Sequence, residues 1–315
     1  MIAQQLAAEY QALSQRAGVV RLERAQVAMT GKDRATLLHK FCTQDILSKQ
    51  PGQGGEAFIC NVQGKIVGYV YFLVGEQEII LDSAAGQAQA IINHLDRYVI
   101  TEDVQFADRS GELATLVLAG PEAAALLPDA PTEMYSHKMI ELDGITVDCR
   151  RVPYGGDAFF LSVPSTEAER VTNALVARGA MLCSPAALEC VRIEAATPLY
   201  GIDITTENLP QEVSRDAFAI NFRKGCYLGQ ETVARIDALG HVNKHLVQVL
   251  FAADADITIG KVLLVGDKVI GRVTSVCWSP KVQASLALAY VRREHCAVGT
   301  KLVEGEVIAL TPSSP

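Results

Sequence analysis

In the twelve residues Lys224-Gly-Cys-Tyr-Leu-Gly-Gln-Glu-Thr-Val-Ala-Arg235 a thiol stands inside a basic loop flanked by glycines. Cys226 follows directly on Arg223, Lys224 and Gly225. Cations beside a thiol favour its thiolate, the form that attacks electrophiles and ligates metals. Gly225 and Gly229 allow a positive φ or a close approach of backbone to ligand. Tyr227, Gln230, Glu231 and Arg235 add a ring, an amide and two charges, so the loop can both stack and hydrogen-bond. The same residues suit a plainer arrangement: a tight turn into a short helix, with Glu231 and Arg235 as an i,i+4 pair and Cys226 buried.

The full pattern, K-G-C-Y-x-G-Q-E-x-x-x-R with all eight defined positions filled, resembles the signature of the YgfZ family of folate-binding proteins. Those proteins support iron–sulfur enzymes and belong to the superfamily of the glycine-cleavage T-protein, an aminomethyltransferase that uses tetrahydrofolate. The resemblance implies a reactive centre at Cys226 and Lys224, framed by Gly225, Tyr227, Gly229, Gln230, Glu231 and Arg235. It also implies tetrahydrofolate or a one-carbon derivative as cofactor, and iron–sulfur enzymes or their assembly proteins as partners.

A second stretch, Ser184-Pro-Ala-Ala-Leu-Glu-Cys-Val-Arg-Ile-Glu-Ala195, reads as a helix with serine placed to cap it and proline in its first turn. Glu194 falls on the same face as Ala187, Cys190 and Val191. A carboxylate on an apolar face needs hydrogen-bond donors, and Arg192 points too far round the helix to supply them. A ligand or a salt bridge to a distant arginine would each meet that need. The pyrimidine edge of a pterin, a ring N–H beside an amino group, matches the two oxygens of a carboxylate. The run from Arg192 to Asp203 is similar to the R-x-E-A-G…G-x-D segment of folate-binding T-proteins, whose glutamate holds the pterin. That resemblance places pterin binding on Glu194, with Ala196 where the family has glycine.

T-proteins that transfer a methylene group carry an aspartate pair shortly after an N-x-x-G-G-I stretch. Here Asn61-Val-Gln-Gly-Lys-Ile-Val-Gly-Tyr-Val70 puts Gly68 and Tyr69 at those positions, and neither is a carboxylate base. Aminomethyl transfer by that mechanism is disfavoured, and Tyr69 reads as a strand residue of the core. His241 and His245 would share a face of a strand, but no third ligand accompanies them, so surface or barrel-entry histidines are expected and no metal is assigned.

A chain of 315 residues with 49% hydrophobic content exceeds what one core usually organises. The net charge of −8 argues against a general nucleic-acid binder but leaves room for a local basic pocket. The eight cysteines form no C-x-x-C pair and no ferredoxin-like run, so neither an intrinsic cluster nor a disulfide framework is expected. The longest apolar stretch, Tyr69 to Val74, is too short to span a bilayer. The first residues alternate Ile2, Leu6, Tyr10 and Leu13 with polar side chains, an amphipathic helix unlike a signal peptide or an arginine-rich presequence. A cytoplasmic protein is expected, with no membrane partner.

The pattern predicts a helix over 33–47, strands at 56–62, 66–74 and 77–82, a helix over 86–98, a strand at 113–119 and a helix opened by Pro121. A strand pair over 140–164 and a helix over 167–179 follow. Beyond Gly240 five short strands, 246–251, 257–265, 269–277, 285–291 and 301–310, suggest a small barrel. The run from Ile270 to Pro280 resembles the G-x-V-T-S…S-P run of the T-protein barrel, with Val276 in place of a glycine. The expected architecture is α+β, a T-protein-like multidomain body over 1–240 and a C-terminal β-barrel over 241–315.

Three functions stay open on these residues. The first is a folate-binding protein that serves assembly or repair of iron–sulfur enzymes, with Cys226 as nucleophile or transient iron ligand. The second is a folate-dependent aminomethyl or one-carbon transferase. The third is a non-catalytic folate-binding scaffold, so whether the chain is an enzyme is undecided.

Overall fold

The computed structural model describes residues 2–253 and 255–310; of the expected barrel over 241–315, residue 254 and residues 311–315 lie outside the described residues, as do the side chains of Ile2, Ala3 and Leu310. Two compact units make up the chain, one from Met1–His39, Asp45–Glu56 and Val70–Val191, the other from Lys40–Gln44, Ala57–Tyr69 and Arg192–Pro315. The strands Gly54–Cys60 and Ile66–Val74 run through the boundary.

The first unit contains a six-stranded sheet in the order Met181–Leu182, Gly18–Leu22, Leu113–Ala119, Ala158–Pro164, Ile145–Val152 and His137–Leu142. The helix Ala168–Ala177 buries Ala168, Val171 and Leu175, spaced along one stripe, in the same core as Ala114, Leu116 and Leu118 of the central strand. Five strands form a second sheet in the order Gly54–Cys60, Ile66–Val74, Glu78–Ala84, Arg24–Thr30 and Gln105–Asp108. At the N-terminus the predicted helix runs Ile2–Gln15 and buries Tyr10 and Leu13, while Leu6 is exposed.

In the second unit a five-stranded antiparallel sheet runs in the order Val262–Val265, Lys268–Ser279, Ala284–Arg292, Lys244–Phe251 and Gly305–Leu310. Register shifts at Gln248/Val249, Leu263/Leu264 and Val273/Ser275 bend it into a curled half-barrel, because an extra residue on one strand kinks and twists the ladder. Alternate residues Val247, Val249 and Phe251 join Val273, Ala287, Ala289 and Val291 in its core. The expected α+β body with a small C-terminal barrel-like sheet is what forms.

Several elements differ from the pattern. The helix expected over 33–47 stops at Phe41, because Cys42 bridges Ile59 and the Thr43 N–H donates to the Phe58 carbonyl at 2.9 Å. Those residues exchange helical for strand-type pairing. Pro121 is followed only by a 3-10 turn, Ala123–Leu126, and the 86–98 helix is shortened to Ala88–Asp96. The region 140–164 holds three strands rather than two. The divider is Asp143-Gly144, both at positive φ (54° and 74°), the geometry of a two-residue hairpin turn. In the barrel, the second and fifth strands cover only Val262–Val265 and Gly305–Leu310.

Candidate functional site

The motif loop belongs to the second unit and is tied down mostly by its backbone. The Asn221 side-chain oxygen accepts from the N–H groups of Arg223 at 2.9 Å and Lys224 at 3.0 Å, closing an Asx turn. Leu228 N–H donates to the Lys40 carbonyl at 2.9 Å, and Gln230 Oε1 accepts from Tyr227 N–H at 3.4 Å. The helix Gln230–Leu239 follows directly.

Gly229 enters that helix at φ +83°, and a Cβ on it would lie 2.5 Å from the Asn61 carbonyl oxygen and 2.9 Å from Gly64 Cα. Gly64 is itself at φ +77°, with Thr232 Cβ 2.7 Å from where its own Cβ would stand. Opposite them the Asn61 side chain accepts from the N–H groups of Gln63 and Lys65, both at 3.0 Å. The N-x-x-G stretch and the motif loop therefore cross backbone against backbone, which only glycine permits.

Within this frame Lys224 and Cys226, two residues apart, go opposite ways. Lys224 is buried; its ammonium donates to the Cys42 carbonyl at 2.8 Å and lies 4.8 Å from the Tyr227 ring centroid. Tyr227 is buried, and its phenol is held well above the ordinary value by that burial, with Cys60, Cys42 and Asp237 adding to the effect. Cys60 beneath it is pushed far up by burial and by Cys42, and is an inert thiol. Cys226 faces outward with Phe222, Arg223 and Gly225. Of the eight cysteines it alone is exposed, five others being buried and two intermediate. The plainer arrangement fails in two respects, since Cys226 is not buried, and exposed Glu231 and Arg235 form no ion pair with each other among the described residues.

The second stretch forms the helix Pro185–Glu194. Ser184, predicted as its cap, directs both its N–H and its hydroxyl to the carboxylate of Glu9. At the other end the Ala196 N–H reaches the Ile193 carbonyl at 3.0 Å and the Thr197 N–H the Arg192 carbonyl at 3.0 Å. This is a Schellman closure, whose left-handed residue is usually glycine. Here it is Ala196, at φ +52°, so alanine keeps the backbone turn of the family's glycine and takes its strain.

Arg192 was set aside in the sequence as a partner for Glu194, and its partner is Asp203. The fully buried guanidinium donates to Asp203 Oδ2 at 2.8 Å, the Thr197 carbonyl at 2.7 Å and the Ser275 hydroxyl at 2.9 Å. Asp203 also accepts from the hydroxyls of Thr274 at 2.5 Å and Ser275 at 2.7 Å. This pair clamps the helix end to the strand Lys268–Ser279. Its signal was already present, since Arg192 and Asp203 open and close one R-x-E-A…G-x-D segment.

The clamp leaves Glu194 half-buried at the end of its helix. Its carboxylate accepts from the Ser279 hydroxyl, and its backbone carbonyl accepts from the Gln248 amide at 3.0 Å. Both donors come from the half-barrel; Ser279 holds the carboxylate itself, and Gln248 holds the backbone of the helix end that carries it. A carboxylate so held, in a half-buried place, suits an N–H and amino edge such as that of a pterin.

Tyr69 is buried and stacks on Phe58 with ring centroids 5.2 Å apart, and Gly68 is buried beside it. His245 meets the Ser214 hydroxyl through Nδ1 at 3.2 Å, and burial lowers its pKa, while exposed His241 meets the Leu239 carbonyl at 2.9 Å. Among the described residues no three His, Cys, Asp or Glu side chains stand together as metal ligands. Asp216, which the sequence did not single out, has a buried Oδ1 without a hydrogen-bond partner among the described residues. Burial, and then the charge of Asp237, push its carboxyl up to about 7.

Comparison with known proteins bears on the family and the fold. The GCVT N-terminal domain family matches residues 2–224, and the glycine cleavage T-protein C-terminal barrel domain family matches residues 244–309. An aminomethyltransferase of Rubrobacter xylanophilus is 30% identical over 91% of this chain and 79% of its own. One of Streptomyces avermitilis is 28% identical over 93% and 82%, and a putative chloroplastic transferase of Arabidopsis thaliana is 25% identical over 90% and 67%. The crystal structure of the glycine cleavage system aminomethyltransferase T from Bartonella henselae has the same fold, with a TM-score of 0.87 at 22% identity, covering 97% of this chain and 89% of that one.

Proposed function

We propose that this chain, which belongs to the glycine-cleavage T-protein family, binds a reduced folate through Glu194 and presents Cys226 to the iron–sulfur enzymes that it helps to assemble or repair. The folate part extends the family's chemistry to a carboxylate that Ser279 holds, on a helix end that Gln248 holds. Residues 1–240 would be the folate-binding body and 241–315 the barrel. When bound, the folate would supply one-carbon or redox chemistry; Glu194 would orient its pterin edge by accepting two hydrogen bonds.

One observation carries the thiol part: of the eight cysteines only Cys226 is exposed, on a loop whose backbone is locked by the Gly64–Gly229 crossing. An exposed thiol on a rigid loop is placed to meet another protein or an electrophile. Lys224, by contrast, is spent inward on Cys42 and Tyr227, where it supports the loop from beneath. The reading that follows the relatives' printed names, aminomethyl transfer, would need a carboxylate base where Gly68 and Tyr69 stand, and Tyr69 is occupied by its stack on Phe58.

Two measurements test the proposal. Titration of tetrahydrofolate into wild type and Glu194→Gln should show about tenfold or greater weakening in the variant, since one charge-assisted hydrogen bond is lost and a mismatched donor gained. Equal affinities would remove Glu194 from the site. Limited alkylation with peptide mapping should label Cys226 first, and Cys226→Ser should lower the activity of iron–sulfur enzymes in cells with folate affinity unchanged. Rapid formation of methylene-tetrahydrofolate from an aminomethyl-lipoyl donor would instead establish the transferase.

A further inference from the structure

The half-barrel carries a cluster of cations that the folate and thiol readings do not use. Lys244 pairs in register with Arg292, and Tyr290 stands between Leu246 on one neighbouring strand and Arg272 on the other. Side chains alternate across a strand and cross-strand partners share a face, so Lys244, Arg272, Tyr290 and Arg292 project together from the face opposite the Val247, Val273, Ala289 and Val291 core. Two adjoining depressions open on that face, of about 490 and 350 Å³, with Lys244 and Arg292 in the wall of both. Arg293 borders the larger and Arg272 the smaller. In a chain of net charge −8 this is a local reversal of sign.

Most of that positive charge is available to a ligand. Neither Arg292 nor Arg293 forms an ion pair with its side chain among the described residues. Arg272 spends one nitrogen on the Gly260 carbonyl at 2.9 Å, and a guanidinium has further donors to offer. Lys244 lies 4.7 Å above the Tyr290 ring and 3.6 Å from Glu212. The carboxylates bordering the larger depression are Glu212 and Glu294, and Glu212 is already engaged by the Leu209 N–H at 3.2 Å. The wall also holds an unmet polar group: the Tyr290 hydroxyl is buried with no hydrogen-bond partner among the described residues.

We infer that this cleft is a binding site for a small polyanion, one with two or more negative charges a few ångströms apart, as in a phosphate ester or a short chain of carboxylates. Planar guanidinium groups on the neighbouring strands of Arg272 and Arg292 match the paired oxygens of either group, and Lys244, on the strand at the other side of Arg292, supplies a point charge beside them. The site is distinct from the carboxylate at Glu194, which would recognise donors rather than acceptors, so it stands whether or not the chain binds folate.

Calorimetric titration of the whole protein with pyrophosphate and, separately, with tri-γ-glutamate tests the inference. At least one probe should bind at low salt and weaken as salt is raised. Arg292→Ala combined with Arg272→Gln should lower that affinity about tenfold or more, the equivalent of one charge-assisted contact. Binding of pyrophosphate alone assigns a phosphate-bearing ligand, and binding of tri-γ-glutamate assigns a carboxylate chain. Arg292→Ala alone, at an exposed position, keeps the test valid if the double variant does not fold. No binding of either probe, or binding that survives these substitutions in folded protein, overturns it.

Discussion

Arg150 and Arg192 are both buried arginines paired with aspartate, one in each unit, and they do different work. Arg150 donates to Asp82 at 2.9 Å and to Asp148 at 2.8 Å, and Asp82 is shared with Arg24 at 2.6 Å. The Gln26 amide and the Ser162 hydroxyl complete that network, and Arg24 also lies 5.2 Å from the Phe160 ring centroid. Its charges are held redundantly, two arginines to one aspartate. Arg192 is the single cation on Asp203 among the ion pairs of the described residues, and it stands two residues from the half-buried Glu194. A buried ion pair is weak evidence of function by itself. What distinguishes Arg192 is that the strand it clamps also supplies Ser279 to the candidate ligand carboxylate.

The largest expected effect is on that single pair. Arg192→Ala leaves Asp203 buried with its hydroxyl partners but no counter-charge, and should cost about 3–5 kcal/mol of stability. Arg150→Ala leaves Asp82 paired with Arg24 and should cost less, about 1–3 kcal/mol. Urea unfolding of the two variants side by side checks the order, and equal losses would break the contrast between single and shared pairing.

Asp216 sharpens the comparison from the other side, as a carboxyl with no cation on it. Its folded-state pKa, raised to about 7 from 3.8, means that the folded chain keeps a proton the unfolded chain has released. Its contribution to stability is complete below about pH 4, declines as pH rises, and is lost above about pH 7. Asp216→Asn removes that dependence. The variant should match wild type near pH 4 and exceed it by about 4 kcal/mol at pH 8, read from urea midpoints across pH. A constant difference across the range would mean that Asp216 ionises normally.

The smallest effect concerns the turn that carries Arg192's carbonyl. Ala196→Gly removes left-handed strain from an L-residue at φ +52° but adds freedom to the unfolded chain, for a net gain of about 0.5–1 kcal/mol. Thermal unfolding should show a midpoint a few degrees higher. An unchanged or lower midpoint would show that the Schellman turn is held so firmly by Arg192 and Thr197 that the residue type does not matter.

Much of the molecule was legible from local pattern, because helices, strands and turn glycines declare themselves within a few residues. The 168–177 helix, the N-terminal helix and the five-stranded character after residue 240 follow from period and punctuation. The candidates at Cys226 and Glu194 came from a resemblance of short motifs, which are also local. The early end of the 33–47 helix was not legible, since the competing partners of Cys42 and Thr43 lie at Phe58 and Ile59. The Asp143-Gly144 turn, by contrast, is a local signal, an Asp-Gly pair at positive φ.

What the sequence determined by itself was which segments are candidates for chemistry and which period each element follows. Only tertiary structure decided where the chemical groups point. Lys224 and Cys226 are two residues apart, yet the first turns to the Cys42 carbonyl and the second to solvent. Gly229 and Gly64 are distant in sequence, yet a Cβ on Gly229 would meet the Asn61 carbonyl and Gly64 Cα, and one on Gly64 would meet Thr232. Arg192 also reaches Ser275, 83 residues along the chain, a partner that no local spacing announces. Orientation and burial are properties of partners brought together from distant parts of the chain, and so the direction of each charge, the exposure of the one thiol and the unmet carboxyl of Asp216 belong to the fold and not to the pattern.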